Sequence, residues 1–100
     1  MRYVLFSEDA PDGLAKRLAV LAAHRARLEQ LQSEGRLVLA GPMPAIEAQD
    51  PGPAGFFGSL IVAEFASLQE AQDWLAADPY VTEGAYARTW VRPFKQVYPQ

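Results

Sequence analysis

The chain has 100 residues, of which half are hydrophobic and 21% are charged, with a net charge of −3 and no cysteine. This length predicts one domain, 1–100, and its basic residues are too scattered to bind nucleic acid or a membrane surface. Without cysteine, disulfides, thiolate metal sites and a cysteine nucleophile are excluded, and without a signal peptide or a long apolar run we expect a cytoplasmic protein.

The first predicted element is a short strand at Arg2–Phe6, rich in aromatic and branched side chains. A polar turn over Ser7–Gly13 follows, in which Asp12 is a candidate helix cap. One long helix is then predicted to end near Glu34, with Gly35 as its stop. Its apolar face is formed by leucines at helical spacing: Leu14, Leu18, Leu21, Leu28 and Leu31.

The middle of the chain predicts two strands separated by a long loop. The second strand is predicted at Arg36–Ala40 and ends at Gly41-Pro42. The segment from Met43 to Phe56 contains several prolines and glycines and has no periodicity, which indicates a loop. Loops of this length are often functional, for instance as lids. The third strand is predicted at Phe57–Phe65.

The last third of the chain predicts a helix and a strand. Ser67 and Glu70 fit a capping box at the start of the second helix, and Asp78-Pro79 should end it. The fourth strand is predicted at Ala85–Val97, where Pro93 indicates an edge position. The order βαββαβ predicts an α+β, ferredoxin-like fold with an antiparallel sheet and both helices on one face.

The third predicted strand is apolar on both sides, with Leu60 and Val62 on one face and Ile61, Ala63 and Phe65 on the other. Two helices can cover only one face of a sheet, and a sheet whose other face is solvated normally alternates apolar and polar residues. We therefore expect the second face to be covered by another copy of the chain or by a ligand cavity between two copies, which predicts a homodimer through the open sheet face.

His24 is the only histidine, and it lies on the flank of the leucine stripe. Arg17, seven residues earlier, lies on nearly the same line of the helix. Two interpretations stay open for this pair. His24 is either a boundary residue bonded to a backbone carbonyl, with Arg17 extending to solvent, or a general acid or base.

Asp78 is the natural partner for His24, since a carboxylate at the C-terminal end of a helix is disfavoured by the dipole and gains from a nearby cation. The alternative interpretation is that Asp78 only terminates the helix as part of an Asp-Pro pair. Ser59 is a candidate hydrogen-bond donor to a ligand. The acidic residues Glu8, Asp9 and Asp12 indicate a solvated turn rather than a metal site, and we predict neither metal nor cofactor.

Several segments together resemble the YCII-related family of small bacterial proteins. They are the helix carrying His24, GRLVLAGP at 35–42, GS at Gly58-Ser59, SLQEAQDWLAADPY at 67–80, and VRPFKQV at 91–97. Each motif is weak alone, but their order and spacing are specific and cover nearly the whole chain.

The resemblance implies a dimeric α/β-barrel arrangement and an active site in which His24 and Asp78 are catalytic. It is also the main ground for predicting a small-molecule enzyme of the lyase or isomerase type that transfers protons in elimination, isomerisation or dehalogenation. Arg17, Ser59, Gly41, Pro42 and Tyr80 are the candidate substrate-binding residues.

The chain departs from the family pattern at one point, because many members carry Arg-Pro just upstream of the histidine, where this chain has Leu21-Ala22. Arg17 is the candidate replacement. If the missing arginine binds substrate anions elsewhere in the family, the substrate of this chain is expected to differ. The alternative function is a non-catalytic metabolite-binding or accessory dimeric domain, in which His24 and Asp78 form only a structural hydrogen bond.

Overall fold

Strand β1 (Arg2–Asp9) lies at the centre of the sheet in the computed structural model, which describes residues 1–100. It pairs antiparallel with β3 (Phe56–Glu64) on one side and with β4 (Tyr86–Phe94) on the other, and β2 (Leu37–Pro44) pairs with β3. The order β2-β3-β1-β4, with every pair antiparallel, confirms the predicted ferredoxin-like α+β fold. It also places β4, with Pro93, at an edge as predicted.

The helices pack on one face of this sheet. The buried strand residues Tyr3, Leu5 and Ile61 share that face and form one core with Leu31 and Leu75 of the helices. Burying such side chains contributes about 1.5–3 kcal/mol each. None of the helices has both the length and the hydropathy needed to span a bilayer.

The opposite face carries an aromatic cluster. The Phe6 ring lies 5.2 Å from the Trp90 ring and 6.3 Å from the Phe57 ring, centroid to centroid. Trp90 is 38% exposed and Phe57 is 48% exposed. The third strand is therefore apolar on both faces, as its sequence predicted, and no helix covers this side.

The prediction of one helix from Leu14 to Glu34 is wrong in detail. The segment forms two helices, α1 (Gly13–Ala19) and α2 (Leu21–Ser33), which break at Val20 (φ −125°, ψ 20°). The leucine stripe is also uneven, since Leu31 is buried and Leu18 is 65% exposed. The predicted cap is absent as well, because the Asp12 side chain accepts no capping hydrogen bond and instead pairs with Lys16 at 3.0 Å.

The predicted loop from Met43 to Phe56 is shorter than expected. Strand β2 continues through Pro44, and a 3₁₀ turn occupies Gly52–Ala54. Gly55, at φ 71°, brings the end of this segment against Leu14 of α1. The segment therefore lies beside α1, and its action as a lid stays a prediction.

The second helical region also has two parts, α3 (Leu68–Ala76) and α4 (Pro79–Thr82). Ser67 caps α3 as predicted by accepting from the Glu70 N–H at 3.1 Å. The Glu70 carboxylate accepts from the Ala66 N–H at 2.8 Å, one residue earlier than in a standard capping box. The break between α3 and α4 at Asp78 determines the geometry of the site.

Candidate active site

A cavity of about 360 Å³ lies between the helices and the sheet, near the end of β1 that leads into α1. Much of its wall is apolar: Leu14, Leu18, Leu21, Leu28, Phe56 and Ile61. Six of the seven candidate site residues line it: His24, Arg17, Ser59, Gly41, Pro42 and Tyr80. Apolar walls with a few convergent polar groups are typical of small-molecule sites.

His24 and Asp78 are in direct contact inside the core. The His24 Nδ1 atom lies 2.9 Å from Oδ1 and 3.0 Å from Oδ2 of Asp78. His24 is 7% exposed and Asp78 is 0% exposed. A carboxylate can only accept, so this contact places the proton on Nδ1 and leaves Nε2 as an acceptor in the neutral ring.

The Asp78 carboxylate is held by two further donors. The Tyr80 N–H donates to Oδ1 at 2.9 Å, and Arg27 Nη1 donates to Oδ2 at 3.1 Å. The helix-dipole argument made from the sequence is therefore wrong in its direction. Asp78 follows α3 but is the N-cap of α4, where a carboxylate is favoured, because Pro79 starts a new helix.

The other ring nitrogen of His24 opens into the cavity. His24 lines the cavity, its Nε2 has no hydrogen-bond partner, and protein atoms do not enclose that nitrogen. The Tyr80 ring stacks on the imidazole, with the centroids 3.9 Å apart and the planes 9° apart. Burial raises the pKa of Tyr80, although the Arg17 charge opposes this shift. The imidazole is thus fixed by Asp78 at its edge and by Tyr80 on its face.

Arg17 is buried rather than extended to solvent, which overturns the solvent-exposed alternative. Its Nε and Nη2 donate to the two carboxylate oxygens of Asp9, both at 2.7 Å, and Nη2 also donates to Ser59 Oγ at 2.8 Å. The side chains of Arg17 and Asp9 are 6% and 5% exposed. Such bidentate pairs are the strong, directional form of ion pair.

Aromatic rings surround the Arg17 guanidinium, whose Cζ lies 4.9 Å from the Phe56 centroid, 5.0 Å from Tyr80 and 5.5 Å from Tyr86. Burial opposes the charge, but the hydrogen bonds and charge of Asp9 outweigh it and raise the pKa of Arg17. Nη1 makes no hydrogen bond and is not enclosed by protein. Arg17 therefore keeps one free donor nitrogen at the cavity.

Tyr86 lies beside the cluster formed by Arg17, Asp9 and Ser59. Its ring packs edge-on against Tyr80, with centroids 5.5 Å apart and planes at 88°. Its hydroxyl is buried without a hydrogen-bond partner. Burial raises the pKa of Tyr86 to about 12, against the opposing effects of Ser59 and the Arg17 charge.

The glycines near the site have different roles. A Cβ on Gly58 would lie 1.8 Å from the Ser7 carbonyl oxygen, so β3 approaches β1 more closely there than a side chain permits. Gly58 thereby fixes the position of Ser59, the next residue. Gly41 has no heavy atom within 4 Å of an added Cβ, and both Gly41 and Pro42 are exposed where they line the cavity rim.

Sequence reasoning did not assign Asp9, Arg27, Arg25 or Tyr86 to the site, although Tyr86 was expected to be a core or interface aromatic residue and is buried in the core. Asp9 seemed to belong to a solvated turn because β1 was predicted to end at Phe6, whereas it continues to Asp9. Arg27 was detectable, since it follows His24 by three residues and so projects from the same side of a helix. No local pattern distinguishes Arg25, which lines the cavity, or the buried Tyr86.

The chain is similar to several known proteins. Residues 1–95 match the model of the YCII-related domain. The protein YciI of Escherichia coli O6:H1 is 55% identical over 98 residues, which cover 98% of this chain and 100% of that protein. An uncharacterized protein of Haemophilus influenzae is also 55% identical, with the same coverage.

Among solved structures, the 5-chloro-2-hydroxyhydroquinone dehydrochlorinase TftG from Burkholderia phenoliruptrix AC1100, in complex with 2,5-dihydroxybenzoquinone, has a TM-score of 0.82 and 29% identity. The match covers 95% of this chain and 94% of that chain. A protein from Nitrosomonas europaea, provisionally named an antibiotic biosynthesis monooxygenase, has a TM-score of 0.52 and 16% identity, with 97% and 98% covered. The second likeness concerns the fold alone.

Proposed function

This chain belongs to the YCII-related family, and we propose that it is an acid–base enzyme that moves protons on a small organic substrate. The observation that carries the proposal is the orientation of one side chain. His24 has Nδ1 bonded to the buried Asp78 carboxylate and Nε2 open to the cavity. This is the arrangement that an imidazole needs to accept a proton from a bound molecule.

Asp78 has two roles in this proposal. It holds the ring in the tautomer whose Nε2 lone pair faces the substrate, and it stabilises the positive charge that the ring gains with the proton. Arg27 and the Tyr80 N–H keep the carboxylate in place. In an elimination, Nε2 takes a proton from the substrate. The electron pair of the broken bond to that hydrogen forms the new double bond, and the halide leaves with the electron pair of the carbon–halogen bond.

The volume of the cavity suits a substrate with a single ring. Its volume of about 360 Å³ lies near the lower end of small-molecule sites. Its leucine, phenylalanine and isoleucine walls suit an apolar body, and Arg17 Nη1 and Ser59 suit an oxygen substituent. The likeness to TftG, a dehydrochlorinase of a chlorinated hydroquinone, favours elimination or dehalogenation over isomerisation.

The proposal includes a homodimer through the open sheet face. Phe6, Phe57 and Trp90 form an aromatic patch there that no helix of the same chain covers. A second copy would remove this patch from water. Trp90→Arg should give a monomer by analytical ultracentrifugation, whereas Tyr98→Arg, at an exposed tail residue, should not.

The test of the enzyme proposal is chloride release from 5-chloro-2-hydroxyhydroquinone by the wild type, His24→Ala and Asp78→Asn. We expect turnover by the wild type and a loss of about 10²- to 10⁴-fold in each variant, the usual contribution of general acid–base catalysis. Deuterium exchange of the ring hydrogens of the same probe in D₂O detects proton transfer without net elimination.

The alternative of a non-catalytic binding domain gives a different result. The wild type would then neither release chloride nor accelerate exchange. His24→Ala and Asp78→Asn would lower the free energy of unfolding, because each leaves a buried polar group unpaired, without changing affinity for the probe.

A further inference from the structure

Arg25 differs from every other arginine of the chain because it has no bonded partner. The chain has seven arginines, and five of them pair with carboxylates: Arg2, Arg17, Arg27, Arg36 and Arg88. Arg92 donates to the carbonyl of Val91. In a chain with net charge −3, a free arginine is not explained by a shortage of carboxylates.

The position of Arg25 ties its free charge to the cavity. It directly follows His24 on α2, it is exposed, and it lines the cavity. Its charge acts on the Tyr80 hydroxyl, where it counts among the influences that lower the pKa of that group. Arg25 therefore lines the same cavity as His24.

The cavity wall contains cations but no carboxylate. Its charged residues are Arg17 and Arg25, and the two nearby carboxylates, Asp9 and Asp78, lie behind Arg17 and His24 and do not line it. Arg17 keeps Nη1 free inside, and Arg25 is free at the mouth. An unpaired guanidinium at the mouth of an apolar cavity, with one free N–H of the Asp9-paired Arg17 inside, favours an anionic ligand.

We propose that the substrate carries a carboxylate or an equivalent organic oxyanion, and that Arg25 binds this group at the cavity mouth and selects for it. The inference rests on the proposed use of the cavity as a substrate site, but it does not depend on proton transfer by His24. The apolar wall holds the body of the ligand, and the anion lies beside the imidazole.

Benzoate and benzamide give a matched test, since they share shape and differ in charge. The imidazole of the single histidine reports binding by NMR, because its signals need no assignment. We expect benzoate to shift these signals saturably and benzamide to bind at least about 10-fold more weakly. Arg25→Gln should raise the Kd for benzoate about 3- to 10-fold, as expected for a partly exposed ion pair, and should leave benzamide binding unchanged.

Two control variants separate anion binding by Arg25 from a general effect of the net charge of the protein. Lys95→Gln removes the same charge at an exposed residue that does not line the cavity, and it should leave the Kd for benzoate unchanged. Arg25→Lys keeps the charge without the planar donors and should give an intermediate Kd.

The inference is overturned if benzamide binds as tightly as benzoate, if neither ligand saturates, or if Arg25→Gln and Lys95→Gln have equal effects. Its failure is distinct from failure of the enzyme proposal. Chloride release that depends on His24, with no preference for benzoate, would remove only the role of Arg25. Anion selectivity without chloride release or exchange would remove only the catalytic role of His24.

Discussion

Two cation–carboxylate clusters meet at the same cavity, and they differ in the group that each leaves free. In the first, the Asp78 carboxylate is bonded to His24 and Arg27, and His24 keeps an acceptor nitrogen open. In the second, the Asp9 carboxylate is bonded twice to Arg17, and Arg17 keeps a donor nitrogen open. In the proposed function, the first cluster takes a proton from the substrate and the second holds an oxygen atom with excess negative charge.

The two clusters also differ in whether their net charge changes during the proposed reaction. In the proposed reaction His24 gains a proton while Asp78 stays in contact with it, so the first cluster changes its charge. Arg17 stays protonated and bonded to Asp9, so the second cluster keeps its charge. The Tyr80 ring touches both, stacking on His24 and lying 5.0 Å from the Arg17 Cζ. One cluster is suited to chemistry and the other to position, which the variants below test in order of expected effect.

The largest effect is expected at the first cluster, from Asp78→Asn. Each oxygen of the Asp78 carboxylate accepts from a donor other than His24, so the amide NH₂ of the variant must face either Arg27 or the Tyr80 N–H. The imidazole loses its preference for the tautomer with an open Nε2, and turnover should fall about 10²- to 10⁴-fold. Nitrogen-15 NMR of the single histidine measures the tautomer change, and an unchanged tautomer with unchanged turnover would contradict this role.

The second cluster should dominate stability rather than turnover chemistry. Asp9→Ala leaves the buried Arg17 guanidinium without its partner, which should lower the free energy of unfolding by about 3–5 kcal/mol. Urea denaturation measures it. Asp12→Ala, at an exposed carboxylate paired only with Lys16, is the control and should leave stability unchanged. Equal effects of the two variants would show that the Arg17–Asp9 pair is not a buried unit.

A backbone change can move the second cluster without touching its side chains. Gly58→Ala places a Cβ against the Ser7 carbonyl oxygen and must push β3 away from β1, next to Ser59. We expect a loss of about 2 kcal/mol or more, as for an overpacked core, measured by thermal unfolding. Gly41→Ala, where nothing lies within 4 Å, should cost much less. If both variants unfold alike, the close approach at Gly58 does not stabilise the site.

At neutral pH the smallest effect concerns Tyr86, behind the second cluster. Its pKa is raised to about 12, so the folded chain keeps the phenol proton to higher pH than the unfolded chain does. The stability that the raised pKa of Tyr86 contributes is fully present below the ordinary pKa near 10, and it is lost as the pH rises toward 12. Stability should fall by up to about 1.4 kcal/mol per pH unit in that window.

Tyr86→Phe should remove this part of the loss of stability at alkaline pH. It should change the free energy of unfolding little at neutral pH, because the hydroxyl has no hydrogen-bond partner. Tyr98→Phe, at a 73% exposed side chain, should keep the loss. Urea titrations from pH 9 to pH 12 compare the variants. Identical pH profiles for the wild type and Tyr86→Phe would contradict the assignment.

The sequence supported the first cluster better than the second for physical reasons. A lone histidine and an Asp-Pro pair are local signals, and they identified His24 and Asp78 as candidates that the structure places in contact. Arg17 was a candidate because it lies on nearly the same line of the helix as His24, but no local signal identified Asp9 as its partner. Their pairing depends on how far β1 extends, which backbone pairing with β3 and β4 decides.

The element order and sheet face were likewise predictable, whereas the helix break was not. Val20 is neither glycine nor proline and stands among leucines and alanines at helical spacing, so local preference favours a continuous helix. The packing of Arg17 and His24 toward one cavity is a tertiary constraint. Such constraints override weak local preferences without changing composition.

The break at Val20 has an evolutionary consequence. It separates the segment that carries Arg17 from the segment that carries His24, and each side chain is fastened to its own carboxylate. An insertion or deletion at this joint could therefore change the spacing between the anion-holding group and the proton-accepting group while both ion pairs survive. Descendants of one ancestral gene could adapt to substrates of different length at this joint, without changing the contact between His24 and Asp78.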